Sequence, residues 1–232
     1  MVFWFLLLPL CLLVLLAAQA VYTRKTAIRL PEAEGVRLNL NGGTQALLHV
    51  GESTVAGVGV PNIQQGLTAN IISGLNASGG HWDWQVLGSN GARIGDVQDW
   101  SDPIVSPDVL VITFGVNDAT KLTPIQRWRD NFQTCVDKFA GDNTQVLCTG
   151  VPPLNQFPLL PFPLNRVLGW RSKKLDRALV ELCQSKGWTH LDLQFETIGH
   201  LMAEDGYHPN AEGYQAWGDE IAQRIRQIDF VR

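Results

Sequence analysis

The sequence predicts an α/β fold with helices on both faces of a five-stranded, mostly parallel sheet, a three-layer α/β/α sandwich. Three observations lead there. Strand-like and helix-like segments alternate through most of the chain after about residue 44, the pattern of repeated βαβ units. Val109 to Phe114 reads VLVITF between Pro107 and Gly115, the nearly continuous apolar run of a strand buried on both faces. The polar residues with reactive side chains follow strand-like runs, on the edge where sites form in such sheets.

The elements follow in order. Val2 to Thr23 carries no charge and reads VFWFLLLPLCLLVLLAAQAVYT. About twenty apolar residues match the hydrocarbon thickness of a bilayer. Residues 1–23 are therefore expected to be a membrane anchor or a signal peptide. Ala18-Gln19-Ala20 resembles a cleavage site, so export after cleavage near Ala20 is one outcome; no Lys or Arg precedes the apolar run, as a signal peptide requires. Arg24, Lys25 and Arg29 follow it, and an uncleaved anchor would then keep the domain on the cytoplasmic face. Residues 24–43, with Pro31, Gly35, Gly42 and Gly43, read as a linker, and residues 44–232 as one catalytic-sized domain.

Within that domain, Ala46–Val50 is a first strand ending at Gly51. Asn62–Leu75 places Ile63, Leu67, Ile71 and Leu75 on one helical face. Trp82, Trp84 and Val86 alternate with polar residues as a second strand, and Val109–Phe114 is the third. Pro124–Phe139 reads as a helix with Thr123 as N-cap and Pro124 at its first position. Gln145–Thr149 is a fourth strand, Arg166–Lys186 a helix stopped by Gly187, Trp188–Leu193 a fifth strand and Asn210–Ile228 a closing helix.

Composition excludes some functions. The 232 residues carry a net charge of −4, which offers no basic surface for nucleic acid. Cys135, Cys148 and Cys183 cannot all pair, and their spacing matches no metal site, so they read as buried free thiols.

The chemistry is concentrated in two places. Gly51-Glu52-Ser53 follows the first strand, and Asp205-Gly206-Tyr207-His208-Pro209 precedes the last helix. A serine hydroxyl needs a base to take its proton, and the base needs a partner to hold its tautomer. His208 is a candidate base, since an imidazole ordinarily titrates near neutrality, and Asp205, three residues earlier, can orient it. Backbone N–H groups and the Asn117 amide are available as donors to an oxyanion. Taken singly, Ser53 reads as a turn residue, Asn117-Asp118 as an ordinary loop and His208 as a cap; four such placements on one sheet edge are harder to attribute to chance.

Four blocks in this order resemble the SGNH hydrolases, also called the GDSL family. They are His49-Val50-Gly51-Glu52-Ser53-Thr54, Asn90-Gly91-Ala92-Arg93-Ile94-Gly95-Asp96, Phe114-Gly115-Val116-Asn117-Asp118 and Asp205-Gly206-Tyr207-His208-Pro209. The resemblance spans the chain from about Ala46 to the C-terminal helix. It implies a flavodoxin-like sheet, no metal or other cofactor, and a serine esterase acting through an acyl-enzyme on Ser53. It further implies His208 as base, Asp205 as its partner, and Ser53, Gly95 and Asn117 as the oxyanion hole. Gly91 is the alternative oxyanion glycine; Gly95 is preferred because Asp96 follows it, as in the family's Gly-Asp pair. The family's Gly-Asp-Ser-Leu is here Gly51-Glu52-Ser53-Thr54, so a shifted supporting contact from the longer Glu52 is expected.

His49, His81, His190 and His200 fall at no catalytic place and are expected to be structural or solvated, and Arg93 to lie at the surface or to meet an anionic substrate. Val151–Leu164 reads VPPLNQFPLLPFPL, with five prolines and six Leu or Phe residues. It is a packed connection, or an apolar wall for an acyl chain. The expected partner is a small-molecule or lipid-like ester, a lysophospholipid or short fatty-acyl ester for example. An O-acetylated carbohydrate is the alternative, and a non-catalytic binding module that retains the fold is a third reading.

Overall fold

The computed structural model describes residues 2–192 and 199–228, with side chains from Leu10 onward. Five parallel strands form its centre: β2 (Gln45–Gly51), β3 (Trp82–Gly88), β4 (Val109–Thr113), β5 (Gln145–Thr149) and β6 (Thr189–Leu191). Their spatial order is β3-β2-β4-β5-β6. Counted along the parallel strands this is 2-1-3-4-5, the flavodoxin-like arrangement.

A sixth strand corrects the expected five. β1 (Leu38–Asn39) pairs antiparallel with β3, Leu38 opposite Gln85 and Asn39 opposite Trp84. It comes from the 24–43 stretch that reads as a linker. Two residues are too few to show any periodicity, and what places them is tertiary. The Arg37 carbonyl accepts from Val86, and the Arg37 guanidinium bonds Glu32 and the carbonyls of Ala33 and Ala56.

Successive residues of the central strands point to opposite faces, so each strand feeds two cores. Leu48, Val50, Leu110 and Ile112 meet α4 (Ile125–Phe139) and α5 (Leu164–Lys186) through Trp128, Phe132, Leu175 and Leu179. Leu47, Val109, Val111 and Leu147 meet α2 (Leu67–Asn76) and α6 (Ala211–Arg226) through Ile71, Leu75, Tyr214 and Ile221. Those two pairs of helices are the outer layers. Each large side chain taken fully from water contributes roughly 1.5–3 kcal/mol before the entropy cost.

Three helix starts differ from the sequence pattern. The 62–75 segment breaks at Gly66 into a 3₁₀ turn, Ile63–Gln65, and α2; the Asn62 side chain caps the turn by accepting from Gln64. α4 starts at Ile125, with Pro124 rather than Thr123 in the cap position. The Thr123 hydroxyl is spent elsewhere, donating to Asp118 at 2.7 Å. α5 begins two residues early, at Leu164, and ends as expected at Gly187, which is left-handed at φ 71°. Leu193, the expected end of the fifth strand, lies outside the described residues.

The apolar N-terminal segment is helical: α1 (Val2–Thr26). Its Gln19 amide clasps the start of α5, donating to the Phe162 carbonyl at 2.7 Å and accepting from the Leu164 N–H at 3.2 Å. Among the described residues no helix is long and apolar enough to cross a membrane, so the anchor expected at residues 2–23 gains no support here. Cys135, Cys148 and Cys183 are free and buried.

Candidate active site

The crossover point of the sheet lies between β2 and β4, where the chain departs in opposite directions and leaves a crevice. Ser53 follows β2 and Asn117 lies in the short helix α3 (Val116–Thr120) that follows β4, so both fall at that point. Gly51 permits the tight exit from β2. A Cβ there would lie 2.5 Å from the Thr113 carbonyl oxygen and 2.3 Å from Val55. The chain then turns helically, with Val55 and Ala56 both donating to the Glu52 carbonyl at 3.0 Å. This turn lifts Ser53 to the carboxyl edge of the sheet.

His208 and Asp205 arrive from the segment before α6. The Asp205 carboxylate accepts from the Tyr207 and His208 N–H groups at 2.9 and 3.0 Å, closing a tight turn at left-handed Gly206. Its other oxygen lies 2.6 Å from His208 Nδ1. His208 Nε2 lies 2.8 Å from Ser53 Oγ. The structure thus brings together three residues that the sequence separates by up to 155 positions. Asp205 is 2% exposed. Burial alone would raise its pKa, but the bond from His208, the Tyr207 N–H, the imidazole charge and the His208 N–H together hold it below the ordinary value. Asp205 is therefore ionised at neutral pH and able to stabilise an imidazolium.

The Glu52 side chain reaches across to the third block. It is 3% exposed and takes three N–H donors. Oε1 accepts from Val116, and Oε2 accepts from the Asn117 backbone and from Asn117 Nδ2, at 2.9, 3.0 and 2.5 Å. Burial pushes its pKa up to about 7, against the lowering effect of those donors and with a further upward push from Asp118. An amide nitrogen carries two hydrogens. With one held by Glu52, the second Asn117 N–H is fixed in direction.

Asp118 joins the second and third blocks. Its buried carboxylate accepts from the Ile94 N–H at 3.0 Å and from the Thr123 hydroxyl at 2.7 Å. This places Gly95 at the start of a 3₁₀ helix, Ile94–Asp99, packed on α4. The first bond of that helix runs from Asp96 N–H to the Arg93 carbonyl, so the Gly95 N–H is not used within it. The Gly91 carbonyl, by contrast, receives the Lys121 ammonium at 2.7 Å. Glu52 and Asp118 were visible in the sequence only as motif members. A supporting contact is expected of Glu52 from the sequence, but the block it reaches, and the tie made by Asp118, had no sequence signal.

Two other histidines are engaged away from the reacting atoms. His49 is fully buried between Thr68 and Thr113, at 2.8 and 2.9 Å, and burial lowers its pKa to about 3, so it is a neutral packing residue. His190 meets Asp176 at 3.0 Å. In the proline-rich stretch, Leu154, Phe157 and Leu164 are buried, whereas Leu159 and Phe162 are exposed. Phe157 stacks edge-on against Tyr207 at 6.2 Å, and Leu159 covers Gly206, so this segment rims the site. An apolar cavity of about 40 Å³ lies over the ends of β4 and β5, bounded by Phe114, Phe157, Tyr207 and Trp217 and lined also by Glu52 and Thr54, the chain neighbours of Ser53.

Comparison with known proteins gives a family and a fold. The chain is 25% identical over 238 residues to a GDSL-like esterase, Rv1075c, of Mycobacterium tuberculosis, covering 91% of this chain and 76% of that one. Its fold matches a lipase/acylhydrolase from Enterococcus faecalis with a TM-score of 0.64 at 19% identity, over 82% of this chain and 100% of the other. It also matches the acetylxylan esterase Axe2 of Geobacillus stearothermophilus, with a TM-score of 0.59 at 15% identity, over 82% and 98%. Residues 49–216 match the family model of the GDSL-like lipases and acylhydrolases, a span that runs from the start of the Ser53 block to beyond His208, and the chain belongs to that family.

Proposed function

We propose that the chain is a serine esterase that cleaves carboxylic esters or thioesters through an acyl-enzyme on Ser53. The observation that carries this reading is the unbroken relay from Ser53 Oγ to His208 Nε2, 2.8 Å, and from His208 Nδ1 to Asp205, 2.6 Å. With the ring proton on Nδ1 donated to Asp205, Nε2 accepts the serine proton as Oγ attacks the carbonyl carbon. The oxyanion that forms takes hydrogen bonds from the Ser53 and Gly95 N–H groups and from the free Asn117 N–H. The imidazolium then protonates the leaving alcohol or thiol. Water repeats the sequence from the other side and releases the acid.

Lipid-like esters are the leading substrate class, and what supports them is exposed Leu159 beside Gly206, with exposed Phe162 in the same proline-rich stretch. O-acetylated carbohydrate is the second reading, favoured by the small size, about 40 Å³, of the apolar cavity lined by Glu52, Thr54 and Tyr207. Hydrolysis of a graded series from acetyl to palmitoyl esters separates them, using the domain without residues 1–23. Replacing Leu159, Leu160 and Phe162 together with Ser is expected to weaken palmitoyl turnover about tenfold and acetyl turnover less than twofold. Equal loss on both would remove the acyl-wall role. A tether through residues 2–23 belongs to the same proposal, on the exposed Leu12, Leu13, Val14 and Leu15 of α1. Recovery of the full chain in the soluble fraction after cell breakage would contradict it.

A further inference from the structure

Beyond residue 44, the exposed large apolar side chains among the described residues are Ile104, Leu122, Leu159, Phe162, Val167 and Trp170. Four of these six fall between 159 and 170, where the proline-rich segment runs into α5. This stretch is joined to the reacting residues. Leu159 lies against Gly206 and Phe157 stacks on Tyr207, the two residues between Asp205 and His208. The same stretch is where α1 meets the body. Leu16, Gln19 and Thr23 form its half-buried stripe, and the Gln19 amide holds Phe162 and Leu164. Every residue from Leu10 to Leu15 is exposed. The apolar part of α1 thus leaves the body beside the rim of the site.

The charge pattern on α5 indicates what such a surface meets. Its exposed positions between 166 and 177 are Arg166, Val167, Trp170, Lys173, Lys174 and Arg177. Steps of three and four residues put them on one face of the helix. Asp176, the one carboxylate in that span, is turned inward, accepting from the Val151 N–H at 2.9 Å and meeting His190 at 3.0 Å. Among the described residues no carboxylate pairs with any of the four cations. Lys174 Nζ lies 3.9 Å from the centre of the Trp170 ring. In a chain of net charge −4, this face reverses the overall sign. An indole ringed by cations suits the boundary of a bilayer, where the ring sits at headgroup level and the cations meet phosphates. The adjoining uncharged run of α1 favours lipid over an acidic protein.

We propose that the exposed face of α5 over residues 166–177 is a docking surface for an anionic lipid bilayer, and that with α1 it seats the rim of the site on the membrane. Docking needs no crossing helix, since an amphipathic face binds in the plane of the interface. One consequence rests on the esterase reading: an ester held in the bilayer reaches Ser53 past Leu159 without first entering water.

The test uses the full chain as folded Ser53→Ala, so that turnover cannot alter the lipid. Vesicles are phosphatidylcholine alone or mixed with phosphatidylglycerol. Binding is expected to be about tenfold tighter on the mixed vesicles at low salt and to lose most of that preference at high salt. Lys173→Glu/Lys174→Glu should remove the preference, and Val167→Ser/Trp170→Ser should weaken binding to both vesicles about tenfold. No vesicle binding, or binding that neither variant changes, would overturn the assignment; in the second case α1 alone is the anchor. A dimer that Val167→Ser/Trp170→Ser dissociates, without vesicle binding, would overturn it in favour of a second copy of the chain. With Ser53 restored, both variants should cleave a water-soluble acetyl ester within about twofold of the wild-type rate and a palmitoyl ester in mixed vesicles about fivefold more slowly. Equal loss on both esters would overturn delivery from the bilayer. Vesicle binding that the variants weaken, with neither ester cleaved by the wild-type protein, would uphold the docking surface and contradict the esterase reading.

Discussion

Ser53→Ala is expected to lower kcat by about 10⁶-fold, leaving only the rate that binding and the oxyanion donors supply. The reason is chemical. Without Oγ there is no acyl-enzyme, and His208 has no hydroxyl to deprotonate. His208→Ala should cost about as much, because the relay works as a unit and losing either member disables the other. Asp205→Asn should cost less, about 10⁴-fold. An amide at that position can present its nitrogen to His208 Nδ1, which then favours the wrong tautomer and leaves Nε2 protonated. Initial rates on a short acyl ester, with circular dichroism to show that each variant is folded, check the series. A Ser53→Ala protein with more than a few per cent of wild-type kcat would show that another nucleophile is in use.

The second large effect concerns Asn117 and its partner Glu52. Asn117→Ala is expected to reduce kcat by about 10²–10³-fold with KM nearly unchanged, since the lost N–H meets the oxyanion only in the transition state. A change confined to KM would take Asn117 out of the oxyanion hole. Glu52→Gln is expected to cost about tenfold in kcat, because an amide offers one acceptor oxygen where the carboxylate offers two to three N–H groups. If Glu52 acts by holding Asn117, the double variant Asn117→Ala/Glu52→Gln should be no slower than Asn117→Ala alone. Simple multiplication of the two losses would mean that Glu52 acts elsewhere.

Glu52 also ties activity and stability to pH in opposite directions. Its pKa is raised from an ordinary value of 4.5 to about 7 by burial. Because the folded value is the higher one, the stability contributed by its proton is fully present below about pH 4.5 and is lost as pH rises through about 7. The carboxylate that holds three N–H groups, however, exists only above about pH 7. Wild-type Tm should therefore fall relative to Glu52→Gln as pH rises across that window, while kcat/KM gains an ionisation near pH 7 that the variant lacks. Parallel pH profiles for the two proteins would remove the coupling.

Much of the fold is legible in the sequence because it rests on long patterns. The VLVITF run identifies the central strand, and the spacing of Leu67, Ile71 and Leu75 identifies the face of α2 that meets α6. What the sequence hides is decided by tertiary partners. β1 is two residues long and exists because Arg37 is bonded into place. Thr123 looks like a helix cap, but a buried carboxylate 5 residues earlier competes successfully for its hydroxyl. The reactive residues are legible because four short motifs occur in order, and the geometry places Ser53, His208 and Asp205 within hydrogen-bonding distance. The grouping of Arg93, Lys121 and Arg127 around one surface cavity is not legible, since they become neighbours only after the 93–98 segment packs on α4.

The most direct test of the relay is reaction of the folded protein with a serine-directed fluorophosphonate, read by intact mass and peptide mapping. One adduct per chain on Ser53, formed at least about a thousandfold more slowly in folded His208→Ala, is the expected result. An adduct at another residue, no adduct on folded protein, or equal labelling rates with and without the imidazole would contradict it.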